Sequence, residues 1–393
     1  MDDPVNRMDS PVDSMDSPVN RMDSTADEAE EVDEERDTDV QVMDATDTRE
    51  RVYISPARDA DICIFSGTVT APLASEVCAK LGVQLGRARI GTNIRGETQV
   101  EILDSVRGKE CYVIQSLCGP KIHDQVMELL LMVSTLRRAS VFKITVVVPY
   151  LSYARQLQSC GKVYSFAAAD LATMMESVGV DAVIAVDLFR TQVAGFFHNT
   201  PVVNVDAIKA VVPYFANSNK LPSGCVSLVT STNSSTRRVI KFQRELLHYG
   251  ILSNVAFSYA VNDDGRTVCS NEHHHEQFTY STDIDILGSV QGKDVIIVQD
   301  MVDSASHIST VSVSLRAAGA KRIFVYAPHG LFTGDAMHRI SISPIDEVVV
   351  LNTVPLPLQR QSHKVRQLSI AGLVAETIHR IHHDLHTVDI TYR

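Results

Sequence analysis

The chain has 393 residues, enough for two domains that each bury a hydrophobic core. Its net charge of −12 is unevenly spread: residues 1–50 hold 18 acidic residues and 4 arginines, whereas the other 343 residues hold 32 Lys+Arg against 30 Asp+Glu. The remainder therefore lacks the concentrated basic face that nucleic-acid binding needs. No apolar run reaches the roughly 18 residues of a membrane-spanning helix, so we expect a soluble protein without a membrane partner.

The cysteines and the amino terminus indicate the compartment. Seven cysteines lie at irregular intervals and form no Cys-x-x-Cys pair. An odd number of cysteines, several of them within apolar runs, is typical of reduced thiols in an intracellular protein. The acidic amino terminus has neither the apolar segment of a secretory signal nor the acid-poor composition of an organellar transit peptide. We therefore expect the protein to be cytoplasmic.

The first 24 residues form a visible repeat of seven residues: MDDPVNR, MDSPVDS, MDSPVNR and MDSTADE. A coiled coil is not expected, because Pro4, Pro11 and Pro18 would interrupt the helix in three of the four units. So few apolar side chains cannot offset the entropy cost of ordering the chain. We predict that residues 1–58 are a disordered acidic tail.

Beyond the tail, short apolar runs alternate with longer amphipathic segments. The predicted strands are Asp61–Phe65, Cys111–Gln115, Ile144–Pro149, Ala182–Asp187, Val226–Thr230, Val295–Gln299, Ile323–Ala327 and Glu347–Leu351. The predicted helices include Ala71–Leu81, Asp124–Arg138, Phe166–Val178, Arg237–His248, Ser309–Ala318 and Ala371–His383. Strands that are apolar throughout and alternate with helices predict an α/β fold, with mostly parallel sheets covered by helices on both faces.

One sequence pattern occurs twice, about 180 residues apart. The matching segments are RGKECYVIQS (107–116) with QGKDVIIVQD (291–300), ASVFKITVVVPY (139–150) with AGAKRIFVYAPH (318–329), and DAVIAVDL (181–188) with DEVVVLNT (346–353). The order of the predicted strands is the same in both copies. We therefore predict two similar α/β domains in one chain.

Ligands of open α/β sheets bind beyond the carboxyl ends of the strands, so the segments after each apolar run are the candidate site. No Gly-x4-Gly-Lys-Ser/Thr sequence occurs, which excludes a P-loop nucleotide site. From about Ile62 onward these segments resemble those of the ribose-phosphate pyrophosphokinases, also called phosphoribosyl pyrophosphate synthetases. The resemblance is carried by FSG (65–67), ETQVEILDSVRG (97–108), QSLCG (115–119), MELL (127–130), YARQ (153–156), VDL (186–188), QVAGFF (192–197), AGAKRI (318–323), HGLFTGDA (329–336) and NTVP (352–355).

The resemblance implies two tandem phosphoribosyltransferase-like domains and an assembly of six or more subunits. It also implies transfer of the β,γ-diphosphoryl group of Mg-ATP to the 1-hydroxyl of ribose 5-phosphate. We place the domains at residues 59–205 and 206–360, and we expect residues 361–393 to pack back on the first domain.

At several positions, the residues that the family's reaction requires are replaced in this chain. The metal-binding Asp-Leu-His of the family reads Asp187-Leu188-Phe189 here, and a phenyl ring cannot bind a metal. The family's Ser-Pro-Asp-x-Gly-Gly turn reads TSTNSS (230–235), without its carboxylate or its glycines. The stretch that corresponds to the mobile catalytic loop, FSYAVNDDGRTV (257–268), has no lysine. Loss of one charge-stabilising donor alone costs on the order of 10²–10³ in rate.

The loop that holds ribose phosphate in the family keeps Asp300, Asp303 and Ser304. Its first aspartate is replaced by Gln299, and Ser306 and His307 replace its last Gly-Thr. A Cβ at the glycine position should crowd a phosphate or force a different turn. We predict a vestigial loop; sugar binding through the two carboxylates is the alternative.

The nucleotide-binding residues are partly kept. Of the family's Phe-x-Asn-Gln-Glu, which contacts adenine, Glu97 remains, and Arg155 and Gln156 remain from its Ala-Arg-Gln sequence. Arg155 either contacts a phosphate or forms an ion pair at the surface or at a subunit interface.

These departures favour a catalytically inactive, synthetase-associated paralogue, that is, a pseudoenzyme. It would be a regulatory or structural subunit in nucleotide biosynthesis, in homo- or hetero-oligomers with synthetase subunits, and it would need no cofactor. The first alternative is an active but divergent ribose-phosphate diphosphokinase that uses Mg²⁺ and ATP, with Arg237 or Arg238 supplying charge. A nucleotide sensor that binds through Arg155 and Gln156 without chemistry is the second alternative.

Overall fold

The computed structural model describes residues 62–155, 165–217, 221, 226–230, 233–261, 267–268, 284–356 and 362–385. The predicted tail (1–58) and Gln156 lie outside the described residues. The strands are β1 (Ile62–Ser66), β2 (Ala88–Thr92), β3 (Thr98–Ile102), β4 (Glu110–Ile114), β5 (Lys143–Val148), β6 (Ala182–Val186), β7 (Val202–Val205), β8 (Val226–Thr230), β9 (Ser253–Val261), β10 (Thr267–Val268), β11 (Ile284–Leu287), β12 (Asp294–Val298), β13 (Met301–Val302), β14 (Arg322–Gly330), β15 (Glu347–Leu351) and β16 (Val365–Leu368). The helices are α1 (Ala71–Leu81), α2 (Ile122–Arg138), α3 (Ala167–Ser177), α4 (Ile208–Asn217), α5 (Asn233–His248), α6 (Ser306–Ala317), α7 (Ala336–Ile342) and α8 (Ala371–His382), with a short 3₁₀ helix at Thr191–Phe196.

The first half of the chain forms a parallel sheet with the strand order β1-β4-β5-β6-β7. Every residue of β4 and β6 is buried, because side chains from helices cover both faces. One face packs against α2, α3 and the β2–β3 hairpin. The other face packs against α1, α4 and α8.

The second half forms a larger sheet with the order β10-β9-β8-β12-β14-β15-β16. Its neighbouring strands are parallel from β9 to β16, and β9 pairs in the antiparallel direction with β10 and β11. Helices α6 and α7 cover one face, and α5 covers the other. The predicted α/β fold with mostly parallel sheets is confirmed.

The two sheets repeat one strand order, as the internal repeat predicts. The order β1-β4-β5-β6-β7 of the first sheet corresponds to β8-β12-β14-β15-β16 of the second. The register also corresponds, since Glu110 pairs with Lys143 in the first sheet and Asp294 pairs with Arg322 in the second. The internal repeat is therefore visible in three dimensions as two similar sheets.

The structure contains elements that the sequence pattern did not predict. The β2–β3 hairpin has alternating half-buried and exposed residues and lies on α2. Helix α4 contains Pro213 within its span. In the stretch 257–268, which we assigned to the mobile catalytic loop, residues 257–261 belong to β9, because they pair with β8, β10 and β11. No strand was predicted here, and β9 (Ser253–Val261) takes up the first five residues of the stretch assigned to the loop.

The carboxyl-terminal segment contributes to both halves. Strand β16 extends the second sheet by pairing with β15, so that sheet continues past the predicted boundary at residue 360. Helix α8 then packs against α1 of the first half. There the His382 Nδ1 atom lies 2.9 Å from an oxygen of the buried Glu110 carboxylate. In the described part of the chain, no helix is long and apolar enough to cross a membrane.

Candidate active site between the two halves

The carboxyl ends of several strands from the two sheets meet in one region. Strand β6 is followed by Asp187, β12 by Gln299 and Asp300, and β14 carries His329 near its end. Hydrogen bonds and ion pairs between side chains of the two halves cross this region. The structure therefore brings together predicted residues from distant parts of the chain, as expected for an α/β sheet.

Asp187, the retained aspartate of the metal-binding sequence, forms an ion pair with Arg238 of α5. The Arg238 Nη2 atom donates a hydrogen bond of 2.6 Å to Oδ1 of Asp187, and the side chains are only 10% and 12% exposed. Burial disfavours the charged guanidinium, but the nearby Asp187 carboxylate outweighs it, so the pKa of Arg238 is raised above its ordinary value. The Asp187 carboxylate is therefore already paired with a cationic side chain of the protein.

The backbone at Asp187 is in the left-handed region, with φ of 49°, which is uncommon for a residue other than glycine. Its Oδ2 atom is buried without a hydrogen-bond partner among the described residues. Its carbonyl oxygen lies 3.4 Å from Nε2 of His329. A residue in strained backbone with a buried, unpartnered oxygen is typical of a functional position.

His329 is buried between the two halves and was not singled out in the sequence. Its Nδ1 atom lies 2.9 Å from the hydroxyl of Thr353, and that hydroxyl donates to the carbonyl of Pro328. Burial lowers the pKa of His329 to about 4. The imidazole is therefore neutral at pH 7 and carries one N–H, so it can donate to only one of its neighbours.

Phe189 stands where the resemblance leads us to expect a metal-binding histidine. Its ring lies between two arginines: the guanidinium carbon of Arg155 is 4.8 Å from the ring centroid, and that of Arg190 is 5.4 Å away. These are cation–π distances. The face of the phenyl ring attracts both guanidinium groups. This role differs from metal binding by an imidazole.

Arg155 connects the first half to the ribose-phosphate loop of the second. Its Nη2 atom lies 3.5 Å from Oδ2 of Asp300, and its Nη1 atom lies 2.7 Å from the sulfur of Met301. The structure thus contains an ion pair of Arg155 with a residue of the second half, and the contact of Arg155 with a phosphate stays a prediction. The guanidinium is only 34% exposed.

The ribose-phosphate loop keeps a tight turn before α6. Ala305, and not Ser306, takes the left-handed conformation, with φ of 58°. Ser306 is the first residue of α6 and is not in the left-handed region, and the predicted crowding of a phosphate by its Cβ stays a prediction. The hydroxyl of Thr333 donates a hydrogen bond to Asp303. Ser304 is exposed.

His307 brings an imidazole into the first turn of α6. Its Nε2 atom and the hydroxyl oxygen of Ser309 are buried, and neither has a hydrogen-bond partner among the described residues. Burial lowers the pKa of His307. A neutral, bulky ring therefore stands where the family has threonine.

Glu97 is separate from these residues. It lies in the exposed turn of the β2–β3 hairpin, where it accepts a hydrogen bond of 2.7 Å from the Asn93 side chain. The first turn of α5 begins at Asn233, and Ser231 and Thr232 lie outside the described residues. Among the described residues, the region where the strand ends of the two sheets meet thus contains three of the predicted site residues, Arg155, Asp187 and Asp300. Glu97 lies outside it.

The described residues do not fit a metal ion held by the protein. They contain no group of three or more His, Cys, Asp or Glu side chains arranged to hold one. Asp187 already faces a guanidinium, and so does Asp300. A divalent cation would meet Arg238 or Arg155 at either carboxylate and would be repelled.

Comparisons with known proteins agree with this architecture. Residues 62–179 match the N-terminal domain of ribose phosphate pyrophosphokinase, and residues 264–391 match the phosphoribosyl synthetase-associated domain. The ribose-phosphate pyrophosphokinase of Clostridium acetobutylicum is 34% identical over 325 residues, which cover 83% of this chain and 95% of that protein. The chain belongs to the ribose-phosphate pyrophosphokinase family. The predicted family is confirmed.

Two further members of the ribose-phosphate pyrophosphokinase family give the same result. The protein of Pasteurella multocida is 34% identical over 323 residues, which cover 82% of this chain and 96% of the relative. The crystal structure of phosphoribosylpyrophosphate synthetase from Mycobacterium smegmatis superimposes with a TM-score of 0.71 at 27% identity, covering 82% of this chain and 99% of that one. The two-domain synthetase fold is thus confirmed by sequence and by structure.

Proposed function

We propose that this chain is a non-catalytic member of the ribose-phosphate pyrophosphokinase family, a regulatory or structural subunit that assembles with active synthetase subunits in nucleotide biosynthesis. The observation that carries the proposal is the buried ion pair of Arg238 with Asp187, next to Phe189. It places a fixed side-chain cation on the carboxylate where family members bind a metal.

The ion pair opposes the family chemistry for an energetic reason. Diphosphoryl transfer requires cations that neutralise the migrating group, and Mg²⁺ is the main one. To admit Mg²⁺ at Asp187, the Arg238 guanidinium would have to move away and lose its partner inside the protein. Breaking a buried pair costs about 3–5 kcal/mol. Phe189 offers no ligand in return.

The retained segments support a role in assembly. QSLCG, MELL, QVAGFF and HGLFTG each contribute a side chain to the hydrophobic cores, namely Leu117, Leu129, Val193 and Phe332, all at most 1% exposed. The chain has therefore kept the residues that pack the two sheets, while the metal ligand and the turn carboxylate are replaced. This pattern is what selection for a folded subunit without catalysis would leave.

Exposed apolar side chains of the first half support contacts with other subunits. Ile94 at the hairpin tip is fully exposed, and Leu103 and Met127 are 43% and 46% exposed. Large apolar side chains exposed on a folded domain are candidates for protein–protein contacts. We therefore propose homo- or hetero-oligomers with synthetase subunits.

The alternative is an active, divergent ribose-phosphate diphosphokinase that uses Mg²⁺ and ATP. Its support is that relatives named ribose-phosphate pyrophosphokinase match this chain over nearly their whole length. The carboxylates of Asp300 and Asp303 are also kept, and Arg237 could supply charge. In this alternative the Arg238–Asp187 pair would open when Mg-ATP binds.

Activity of the purified full-length chain distinguishes the two functions. The assay contains ATP, Mg²⁺ and ribose 5-phosphate, and AMP release is measured. We expect no turnover by the wild-type chain and measurable turnover after Phe189→His combined with Thr232→Asp. Turnover of the wild-type chain within about tenfold of roughly 1–100 s⁻¹ contradicts the proposal.

Assembly is tested separately. The chain is co-expressed with a catalytic synthetase of the same cells, and the purified material is weighed by native mass spectrometry. We expect mixed oligomers. If the mass spectra show the chain and the synthetase only as separate species at micromolar concentration, the proposed role as a subunit is wrong. This holds even if the chain is inactive.

A further inference from the structure

Two cysteines face each other across neighbouring strands of the first sheet. Cys63 is the second residue of β1, and Cys111 is the second residue of β4. The two strands are parallel, and their register pairs Cys63 directly with Cys111. Neighbouring strands lie about 4.7–4.9 Å apart, and directly paired residues point to the same face of the sheet. The register therefore places the two side chains next to each other.

The two thiol groups are in direct contact. They share a hydrogen bond, and both side chains pack in the hydrophobic cluster on the face that α2 and the β2–β3 hairpin cover. The hydrogen bond from Cys63, together with burial, raises the pKa of Cys111 above its ordinary value. Cys111 therefore keeps its proton at neutral pH, within reach of the sulfur of Cys63.

The two cysteines differ in their access to solvent. Cys63 is half-buried, whereas Cys111 is fully buried. Strand β1 stands at the end of the strand order of its sheet, and β4 lies inside it. The positive charge of nearby Lys109 favours a thiolate at this site. A reagent dissolved in water can therefore reach Cys63 first and meets a second thiol directly behind it.

The other cysteines in the described part of the chain are placed differently. Cys78 lies on α1, in the cluster that covers the opposite face of the sheet. Cys118 follows β4 and is buried, and burial raises the pKa of its thiol to about 11. Among the four described cysteines, the direct contact between thiols is thus that of Cys63 with Cys111.

We infer that Cys63 and Cys111 form an oxidation-sensitive dithiol, which a peroxide converts into a disulfide within the chain. The Cys63 thiolate attacks one peroxide oxygen, the O–O bond breaks, and a sulfenic acid forms. The hydroxide that leaves takes up the proton that Cys63 released. The Cys111 sulfur then attacks the Cys63 sulfur, the S–O bond breaks as the S–S bond forms, and the proton of Cys111 leaves with the oxygen as water. Two thiols are thereby oxidised by two electrons, and one peroxide is reduced to two molecules of water.

The spacing of parallel strands allows this disulfide and makes it reversible. A disulfide joins Cα atoms about 4.4–6.8 Å apart, a range that includes the distance between neighbouring strands. Its Cβ atoms usually lie about 3.8 Å apart, closer than the spacing of the strands. The bond therefore forms with some strain, and strained disulfides are the ones that thiols reduce readily.

The dithiol lies at the opposite end of the first sheet from the candidate active site. Cys63 and Cys111 are near the amino ends of their strands, whereas Asp187 follows the carboxyl end of β6. All strands of this sheet are parallel. The inference therefore does not depend on whether the chain catalyses a reaction.

Peptide mapping of the reduced, full-length chain tests the inference. A small molar excess of hydrogen peroxide is added to the native protein, N-ethylmaleimide then blocks the remaining thiols, and the protein is digested without reductant. Chymotrypsin separates Cys63 from Cys78 and Cys111 from Cys118, whereas trypsin leaves each of these two pairs on one peptide. We expect a crosslink between the Cys63 and Cys111 peptides, about 2 Da lighter than the two reduced peptides together, that dithiothreitol removes.

Variants identify the role of each thiol. Cys111→Ala should form no crosslink, and Cys63 should then be oxidised further to a sulfinic acid, because no second thiol reacts with the sulfenic acid. Cys63→Ser should leave Cys111 reduced, because Cys111 is fully buried. Cys78→Ala is the matched control and should form the crosslink to the same extent as the wild-type chain.

Three results would overturn the inference. The first is the absence of the Cys63–Cys111 crosslink in the native wild-type chain at millimolar peroxide. The second is a crosslink that forms only after denaturation, and the third is as much sulfinic acid at Cys63 in the wild-type chain as in Cys111→Ala. Circular dichroism checks that the variants are folded; if one of them is not, the map of the wild-type chain decides by itself.

Discussion

Arg238 and Asp187 join the two halves of the molecule through a buried hydrogen bond of 2.6 Å. The aspartate follows the fourth strand of the first sheet, and the arginine lies on the helix that covers the second. Because each side chain is nearly excluded from solvent, neither charge has water as a substitute partner. The pair therefore links the two halves across the region where the strand ends meet.

Removal of one partner of this pair should destabilise the protein strongly. We expect Arg238→Ala to lower the free energy of unfolding by about 3–5 kcal/mol, because it leaves Asp187 charged and buried. Urea denaturation followed by circular dichroism measures the change. Arg237→Ala, at the exposed neighbouring position, is the control and should change stability by no more than about 0.5 kcal/mol. Similar effects in the two variants would show that the pair is not buried in solution.

Acid should destabilise the protein through His329. Its pKa is about 4 in the folded chain and near its ordinary value of 6.5 in the unfolded chain. The unfolded chain therefore binds the extra proton first, so stability is highest above pH 6.5 and falls as the pH decreases towards 4. Protonation of His329 therefore lowers the free energy of unfolding by up to roughly 3 kcal/mol, at about 1.36 kcal/mol for each unit of difference between the two pKa values.

Denaturation curves at several pH values test this prediction with His329→Gln. The slope of stability against pH between 6.5 and 4 should become smaller in the variant. It should not vanish, because burial also lowers the pKa of His307. An unchanged slope would mean that His329 is accessible to water and to protons in the folded chain.

The sequence predicted the parallel core of both sheets, because strands such as β4 and β12 are apolar throughout and have no exposed position. It did not predict the β2–β3 hairpin or β16, whose half-exposed residues carry a weaker pattern. Edge strands and hairpins on a helix are stabilised by tertiary contacts, which local pattern does not encode. The internal repeat, by contrast, predicted that the second half would repeat the strand order of the first.

The sequence predicted several residues of the candidate site, but not the side chains with which they pair. Asp187, Asp300 and Arg155 follow predicted strands, and the order of a parallel sheet brings strand ends together. Which cation meets which carboxylate depends on the packing of α5, so the pairing of Asp187 with Arg238, 51 residues away, could not be read from the sequence. His329 was part of a matching segment, but its burial between the halves is a property of the fold.

A close backbone approach at Gly67 gives a packing prediction. A Cβ atom at this position would lie 2.0 Å from Oε1 of Gln115. Gln115 is fully buried and donates to the Glu128 carboxylate at 2.9 Å, so it cannot move without breaking that bond. We expect Gly67→Ala to cost about 1–3 kcal/mol in a thermal or urea unfolding measurement. Gly195→Ala, where a Cβ would have no neighbour within 4 Å, is the control and should be near neutral.

The buried cysteines should react slowly with alkylating agents. Burial raises the pKa of Cys78 and of Cys118 to about 11, so few of these thiols are ionised at pH 7.5. We expect both to remain unmodified by iodoacetamide in the native protein and to react after denaturation, as detected by peptide mass spectrometry. Cys63, which is half-buried, serves as the internal comparison. Rapid native labelling of Cys118 would contradict its placement in the core.

The attachment of α8 to the first half depends on His382 and Glu110. The His382 side chain is 14% exposed and the Glu110 side chain 6%, and their polar atoms are 2.9 Å apart. Removal of the imidazole leaves a buried carboxylate without this hydrogen bond, so we expect His382→Ala to cost about 1–3 kcal/mol. In the His382→Ala variant, hydrogen exchange should become faster in α8 than in the β4–β5 core. His383→Ala, one residue away and exposed, should leave both readouts unchanged. If His382→Ala matches that control, α8 is held on α1 by its apolar face alone, through side chains such as Leu373 and Val374.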